Sequence, residues 1–171
     1  KLAEDAVRES ETLLKESQVI AGLGSYSMDI TTGVWRSSDV LDQIFGIDES
    51  YDRSVAGWTE LIHPEDRNEM NDYFAHEVVE KKSRFDREYR IIRKNDHAER
   101  WVHGMGELEI DEQGVVRKMR GSIQDITGRK HAEEALHQRL MELEALYNIS
   151  ASLRTVQTFD EALPILMDQT L

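Results

Sequence analysis

Hydrophobic and polar residues alternate along several short stretches of the chain, which is typical of strands with one buried face. In GSYSMDI, Tyr26, Met28 and Ile30 alternate with polar residues, and the turn signal TTG leads into a second short strand over 34–37. Apolar residues recur in a similar way over 84–94, 98–110 and 115–126. The pattern therefore predicts five strands, of which the last three are consecutive and antiparallel.

The segment between the second and third strands shows helical spacing instead. SSDVLDQIFG predicts a short helix with a serine or aspartate cap at 38–39 and a stop at Gly46. A second short helix is expected to end near Ile62, and a longer one to follow with His63 as N-cap and Pro64 in its first turn. This order predicts an α+β fold, a five-stranded antiparallel sheet with helices on one face.

Charged segments with an apolar stripe flank this fold. Residues 1–17 predict an N-terminal amphipathic helix, and 128–153 predict a continuous helix. Its apolar residues are spaced 4, 3 and 4 apart, which is the rhythm of a coiled coil, and they are candidate dimer contacts: Leu136, Leu140, Leu143 and Tyr147. A separate helix is predicted to start at Thr158, where Thr158 and Glu161 match a capping box.

Composition excludes several functional classes. A net charge of −13 disfavours nucleic acid and anionic membrane surfaces, and no apolar run approaches the ~20 residues of a membrane span. The chain has 0 cysteines, which excludes disulfides, thiolate metal sites and a cysteine-linked flavin. No nucleophile, nucleotide-binding or zinc motif is present, so the segment is not expected to be an enzyme. A cytoplasmic location is expected.

Five motifs in a fixed order carry a family resemblance. GLGSYSMDITTGVWRSSDVLDQIFGI, WTELIHPEDR, REYRIIRKND, RWVHGMGE and GSIQDITGRKHAEEAL together resemble a PAS domain of the type-three subgroup found in bacterial and archaeal sensor histidine kinases. The likeness assigns 18–127 to the PAS sensor domain and 128–153 to a signalling helix. Residues 144–171 are similar to the opening helices of a GAF domain, whose truncated start is placed at 154–171. One departure is His97, which stands where such domains usually carry glycine, so the loop it belongs to is expected to differ.

The resemblance also implies functional residues. The last strand should pass its state to the signalling helix through Asp125, Ile126 and Thr127. The ligand-pocket candidates lie between sheet and helices: Tyr26, Met28, Ile44, Phe45, Phe74, Tyr89, Ile91, His103, Met105, Met119 and Ile123. Alternatively, the same side chains close-pack and leave no room for a ligand. His76 is the one weak candidate for a haem ligand; haem is not expected, and the identity of any cofactor stays open.

These expectations define two functional hypotheses. The first is a regulatory sensor and dimerisation module of a multidomain signalling protein, either a histidine kinase or, as the alternative parent, a cyclic-dinucleotide synthase. It would form a homodimer through its N-terminal and C-terminal helices and bind a small molecule or relay the state of a partner. The second is a ligand-free scaffold that holds output domains in register.

Overall fold

The computed structural model describes residue 9, residues 12–13 and residues 16–168, with side chains described up to Ala151. Residues 16–20 are helical, and most of the predicted N-terminal helix lies outside the described residues. The chain divides into two compact units, Lys1–Thr127 and Gly128–Leu171. In the described part of the chain, no helix has the length and apolar character needed to cross a membrane.

The first unit is built on a five-stranded antiparallel sheet. Its strands are β1 (Leu23–Asp29), β2 (Val34–Ser37), β3 (Phe85–Ile92), β4 (Glu99–Ile110) and β5 (Val116–Asp125), in the spatial order β2-β1-β5-β4-β3. Strand β5 is central, since it pairs with β1 on one side and β4 on the other. The predicted α+β fold and its five strands are therefore confirmed.

Three short helices and one π-helix lie between β2 and β3. They are α1 (Asp39–Phe45), α2 (Val55–Leu61), α3 (Arg67–Asp72) and a π-helix over Tyr73–Glu80 that continues α3. The Ser38 side chain caps α1 by accepting a hydrogen bond from Leu41 N, and Gly46 ends this helix in the left-handed conformation. The caps of α1 thus agree with the sequence pattern.

One face of the sheet packs against these helices to form the core. The fully buried side chains come from both layers: Leu41, Phe45, Leu61, Ile62, Val78, Tyr89, Ile91 and Val102. In β4, Val102, Gly104 and Gly106 are buried, while His103 and Met105 belong to the opposite face of the pleated strand. This register decides which residues can reach the space between sheet and helices.

The helix after His63 begins later than predicted. Residues 64–66 form a turn, Asp66 is the N-cap residue, and α3 starts at Arg67. The Asp66 carboxylate accepts hydrogen bonds from the backbone N (3.0 Å) and Nε (3.1 Å) of Arg90 in β3. The acidic residues of HPEDR therefore connect this turn to the sheet, and they do not form the first turn of a helix beginning at Pro64.

The loop between β3 and β4 keeps a left-handed residue at His97, with φ of 57°. Asp96 stabilises it, because its carboxylate accepts a hydrogen bond from Ala98 N at 3.1 Å and pairs with the Arg93 guanidinium. The backbone closes the turn with His97 N donating to Arg93 O at 3.1 Å. The His97 backbone thus takes the left-handed conformation that glycine adopts readily, and the expected difference of this loop from that of related domains stays a prediction.

A single long helix, α4 (Thr127–Asp168), follows β5 after one residue. The prediction of a separate helix starting at Thr158 is wrong, because α4 continues through Thr158 and Pro164. Between Gly128 and Pro164 the sequence holds no glycine or proline, so nothing ends the helix where the capping-box pattern occurs. The domain boundaries at 153 and 154 and the likeness to a GAF domain stay predictions.

Candidate functional site

An apolar cavity lies between the sheet and the helices of the first unit. Its free volume is about 40 Å³. Its wall is formed by four strands, β1, β2, β3 and β5, together with α1, α2 and the π-helix. The wall residues are Tyr26, Met28, Trp35, Leu41, Phe45, Val55, Trp58, Phe74, Phe85, Tyr89, Met119 and Ile123. The space exists because large rings meet here, and rigid rings leave gaps where their edges diverge.

Four aromatic contacts organise one side of the cavity. Trp58 from α2 stands edge-on to Tyr89 with ring centroids 6.2 Å apart, and it packs at 5.6 Å against Phe74 of the π-helix. Phe85 contacts Trp58 at 6.1 Å and Tyr89 at 6.3 Å. These contacts, three edge-to-face and one tilted, join side chains of the helices and the sheet.

Glycines on β4 and β5 bring the sheet close to these rings. A Cβ atom at Gly104 would lie 2.7 Å from Cε1 of Phe85, so no larger residue fits without displacing that ring. The Tyr26 hydroxyl occupies the space that Cβ atoms would take at Gly106 and Gly121. The backbone at these positions therefore forms part of the seat for the aromatic side chains.

The wall has few polar atoms, and the hydroxyls of its two tyrosines both take part in hydrogen bonds. The Tyr26 hydroxyl donates to Met105 O at 3.2 Å, and Trp58 Nε1 donates to the Tyr89 hydroxyl at 3.2 Å. Burial raises the pKa of Tyr89 to about 12. Burial, with a smaller contribution from Tyr89, also raises the pKa of Tyr26 well above its usual value. Both phenols are therefore neutral at physiological pH, and no wall residue carries a charge.

Most of the pocket candidates from the sequence meet at this cavity. Seven of them line it: Tyr26, Met28, Phe45, Phe74, Tyr89, Met119 and Ile123. Ile44 and Ile91 are buried in the surrounding core without lining the cavity. Whether the cavity holds a ligand remains a prediction.

The structure corrects the assignment of His103 and Met105 to the pocket. Met105 is 38% exposed, and His103 Nε2 lies 2.8 Å from Asp86 Oδ1, at a strand position that faces away from the core. The error has a physical reason. In β4 the inward positions after Val102 are Gly104 and Gly106, which have no side chain, whereas His103 and Met105 lie on the other face of the strand.

Sequence reasoning missed five residues of the wall: Trp35, Leu41, Val55, Trp58 and Phe85. Phe85 alternates with Tyr89 on the inward face of β3, and Leu41 is one helical turn before Phe45 on α1, so both positions carried a usable signal. Trp58 lies on a seven-residue helix whose orientation no local pattern determines.

His76 does not line the cavity. Its side chain is exposed on the π-helix, and Nδ1 lies 3.0 Å from Glu80 Oε2, which raises the pKa of His76. Within the described residues, no group of three or more His, Cys, Asp or Glu side chains is arranged to hold a metal ion.

The relay candidates form a bonded junction where β5 ends. Asp125 N donates to Gly22 O at 3.0 Å, and Ile126 N donates to Trp101 O at 2.9 Å. Thr127 is 8% exposed, and its hydroxyl accepts a hydrogen bond from Trp101 N at 3.0 Å. The Asp125 carboxylate accepts from Thr127 N at 2.9 Å. The first residue of α4 is thus bonded to β4 and to the last residue of β5.

The dimer-interface candidates are exposed on α4. Leu136, Leu140, Leu143 and Tyr147 are each more than half exposed, the lowest value being 51% at Leu140. Neighbouring apolar residues Met141, Leu146 and Ile149 are exposed as well. An uncovered apolar stripe of this kind is unusual for a helix in water unless another surface covers it.

Comparison with known proteins establishes the family. A family model described as the PAS fold matches residues 34–123, which is more than half of the 171 residues. The chain belongs to this family. The matched region is therefore a PAS sensory domain of the kind found in signalling proteins, a class of domain that is typically non-catalytic.

Solved structures show the same fold. A sensory box histidine kinase/response regulator from Burkholderia thailandensis is 26% identical with a TM-score of 0.62, and the match covers 77% of this chain and 97% of that one. The N-terminal domain of a diguanylate cyclase with PAS/PAC sensor from Marinobacter aquaeolei is 20% identical with a TM-score of 0.59, over 64% of this chain and 99% of that one.

A curated relative extends the likeness to archaea. The methyl sulfide methyltransferase-associated sensor of Methanosarcina acetivorans is 30% identical over 79 residues, 46% of this chain. The match spans 8% of the length of that relative.

Proposed function

We propose that the chain is the regulatory sensor and dimerisation module of a multidomain signalling protein, and that its parent is a histidine kinase. The 26% identity to the sensory box histidine kinase/response regulator supports this parent. A cyclic-dinucleotide synthase is the alternative parent, and the diguanylate cyclase likeness, at 20% identity, supports the shared fold alone. The module would act in the cytoplasm, with residues 154–171 opening a GAF-like domain.

The observation that carries the proposal is the continuity from cavity to helix along β5. Met119 and Ile123 line the cavity, and the strand ends at Asp125, two residues after Ile123. Helix α4 then begins at Thr127, whose backbone and hydroxyl are bonded to Asp125 and Trp101. A ligand that displaces β5 would therefore act directly on the start of the helix.

The output of this relay is proposed to be a homodimer. The 4, 3 and 4 spacing of the exposed stripe on α4 suits pairing with an identical helix, because a and d positions of two copies meet in register. A second copy of the chain is thus the partner that covers the stripe. The N-terminal helix is proposed to add to the same interface.

Sedimentation velocity tests this interface. The double variant Leu140→Glu/Leu143→Glu places two carboxylates on the stripe and should give monomers, since unpaired charges would be buried in the dimer. The matched control is Gln138→Glu/Ala145→Glu, which adds the same charge at exposed positions on the opposite side of the helix and should stay dimeric. A stripe variant that remains dimeric would show that α4 is not the principal interface.

Native mass spectrometry separates the sensor from the ligand-free scaffold. A dimer with a discrete added mass that disappears when the cavity is filled by Val55→Phe would support a sensor of a small molecule. A dimer that never carries added mass, and whose stability no small molecule changes, would favour the scaffold.

A further inference from the structure

The size of the cavity limits what it can hold. Its free volume of about 40 Å³ is a few times the roughly 10–15 Å³ that one water requires. It is well below the ~150 Å³ of a protein cavity that accommodates benzene. A flavin, a haem or any other ring system would have to displace wall residues. An occupant that leaves the wall in place has only a few heavy atoms.

The wall also limits the polarity of the occupant. Its residues are aliphatic or aromatic, its two phenols are neutral, and an ion would lose its hydration without gaining a counter-charge. Water is a poor occupant too, because a buried water needs two to four polar partners. The occupant must therefore be uncharged and mainly apolar.

Among the described wall residues, the Tyr89 hydroxyl has a proton that it donates to no acceptor. Tyr26 uses its hydroxyl proton on Met105 O. The Tyr89 hydroxyl accepts from Trp58 Nε1, and among the described residues its own proton has no hydrogen-bond acceptor. Tyr89 is 2% exposed, so solvent does not replace that acceptor. A buried hydroxyl with an unused proton favours an occupant that brings an acceptor.

We propose that this cavity binds an uncharged, mainly apolar molecule of a few heavy atoms that carries one hydrogen-bond acceptor, and that the Tyr89 hydroxyl donates to that acceptor. Small ethers, thioethers and carbonyl compounds belong to this chemical class. The inference specifies the ligand of the proposed sensor function, on which it rests for its biological meaning. Binding itself is independent of whether the chain dimerises.

Two probes of equal shape test the proposal. Dimethyl ether and propane each have three heavy atoms, but the ether alone has an acceptor. Binding to the full chain would be followed by NMR through the methyl groups of Met28, Met119 and Ile123, which line the cavity. Both probes should shift these methyls saturably, and Val55→Phe, which fills the cavity from a half-buried position, should abolish both effects.

The acceptor is tested by removing one hydroxyl at a time. Tyr89→Phe should weaken the ether about fivefold, the size of one neutral hydrogen bond, and leave propane within twofold of wild type. Tyr51→Phe is the matched control, because Tyr51 does not line the cavity and its hydroxyl donates to Gly57 O at 2.8 Å, and it should leave the ratio of the two affinities unchanged. In wild type, the resonance of the buried Tyr89 hydroxyl proton should move downfield with ether and not with propane, a readout that does not depend on the stability of the variant.

Two results would overturn the inference. One is the absence of any saturable shift with either probe, and the other is an equal loss of both probes in Tyr89→Phe together with a hydroxyl resonance that ignores the ether. Neither result would change the oligomeric state that sedimentation velocity measures for Leu140→Glu/Leu143→Glu. A failure of this ligand class is therefore distinguishable from a failure of the proposed sensor and dimerisation function.

Discussion

Replacing Thr127 with valine tests the junction between β5 and α4. Valine keeps the branched shape of threonine and removes its hydroxyl, which accepts from Trp101 N at 3.0 Å. The same hydroxyl lies 3.4 Å from Trp101 O, too long for a strong hydrogen bond. The substitution therefore removes the acceptor that Thr127, a side chain only 8% exposed, offers to Trp101 N.

The expected loss of stability can be worked from these contacts. Removing the acceptor of an N–H that is shielded from solvent costs about 1–3 kcal/mol. Exchanging a hydroxyl for a buried methyl group returns up to about 0.8 kcal/mol. The backbone bond from Thr127 N to Asp125 Oδ1 stays, so its contribution cancels. A net loss of about 0.2–2.2 kcal/mol follows; the middle of this range, about 1 kcal/mol, would lower the urea midpoint by roughly 0.5 M for an m-value near 2 kcal/mol/M.

Tryptophan fluorescence during urea unfolding measures this loss of stability in the first unit, Lys1–Thr127. All 3 tryptophans, Trp35, Trp58 and Trp101, belong to the first unit, so α4 does not contribute to the signal. Thr31→Val is the matched control, because Thr31 is exposed in the β1–β2 turn and should change stability by less than about 0.5 kcal/mol. Equal midpoints for Thr127→Val and wild type would refute the idea that the Thr127 hydroxyl joins β4 to the start of the helix.

Two further outcomes follow from the same structure. Gly104→Ala should cost about 1–3 kcal/mol in the urea assay, since its Cβ would lie 2.7 Å from Phe85. Gly128→Ala, with open space around its Cβ, should instead stabilise α4 by up to ~1 kcal/mol, which far-UV circular dichroism during urea unfolding would measure. The hydrogen bond from Arg90 holds the pKa of Asp66 below its usual value. Asp66 therefore stabilises the fold above the ordinary Asp pKa of about 3.9, and this contribution is lost as the pH falls through the lower folded-state value. In urea unfolding at several pH values, the stability difference between wild type and Asp66→Asn should shrink below about pH 4; a constant difference would contradict this linkage.

The fold could be predicted because its main signals are local. Alternation in β1, the serine cap and glycine stop of α1, and the turn before β2 all depend on near neighbours in sequence. The position of the end of α4 did not follow from such signals. A capping-box pattern at Thr158 marks a helix start where the preceding chain is irregular, and here the preceding residues are already helical.

The site was harder to predict because the inward face of β4 carries few side chains. Trp101, His103 and Met105 are large side chains at alternate positions of β4, and the resemblance implied His103 and Met105 as pocket residues. The true inward face contains Gly104 and Gly106, and glycine contributes nothing to an apolar count. Their role becomes visible when Phe85 and Tyr26 are placed against them, which requires the pairing of distant strands.

Strand β5 connects the cavity to the start of α4, and glycines leave room for the Tyr26 side chain beside it. Gly106 and Gly121 pair across β4 and β5, and the Tyr26 ring reaches over both because neither carries a side chain. Between Gly121 and the junction, Ile123 is the residue of β5 that contacts the cavity, and Asp125 is the next residue on the same face of the strand. Ile123 is two residues from Asp125, whose carboxylate accepts a hydrogen bond from Thr127 N. An occupant that displaces Ile123 would therefore also displace Asp125 and the start of α4. The shortest covalent path from Ile123 to α4 thus runs through Gln124, Asp125 and Ile126, and it includes no glycine or proline that would absorb the displacement.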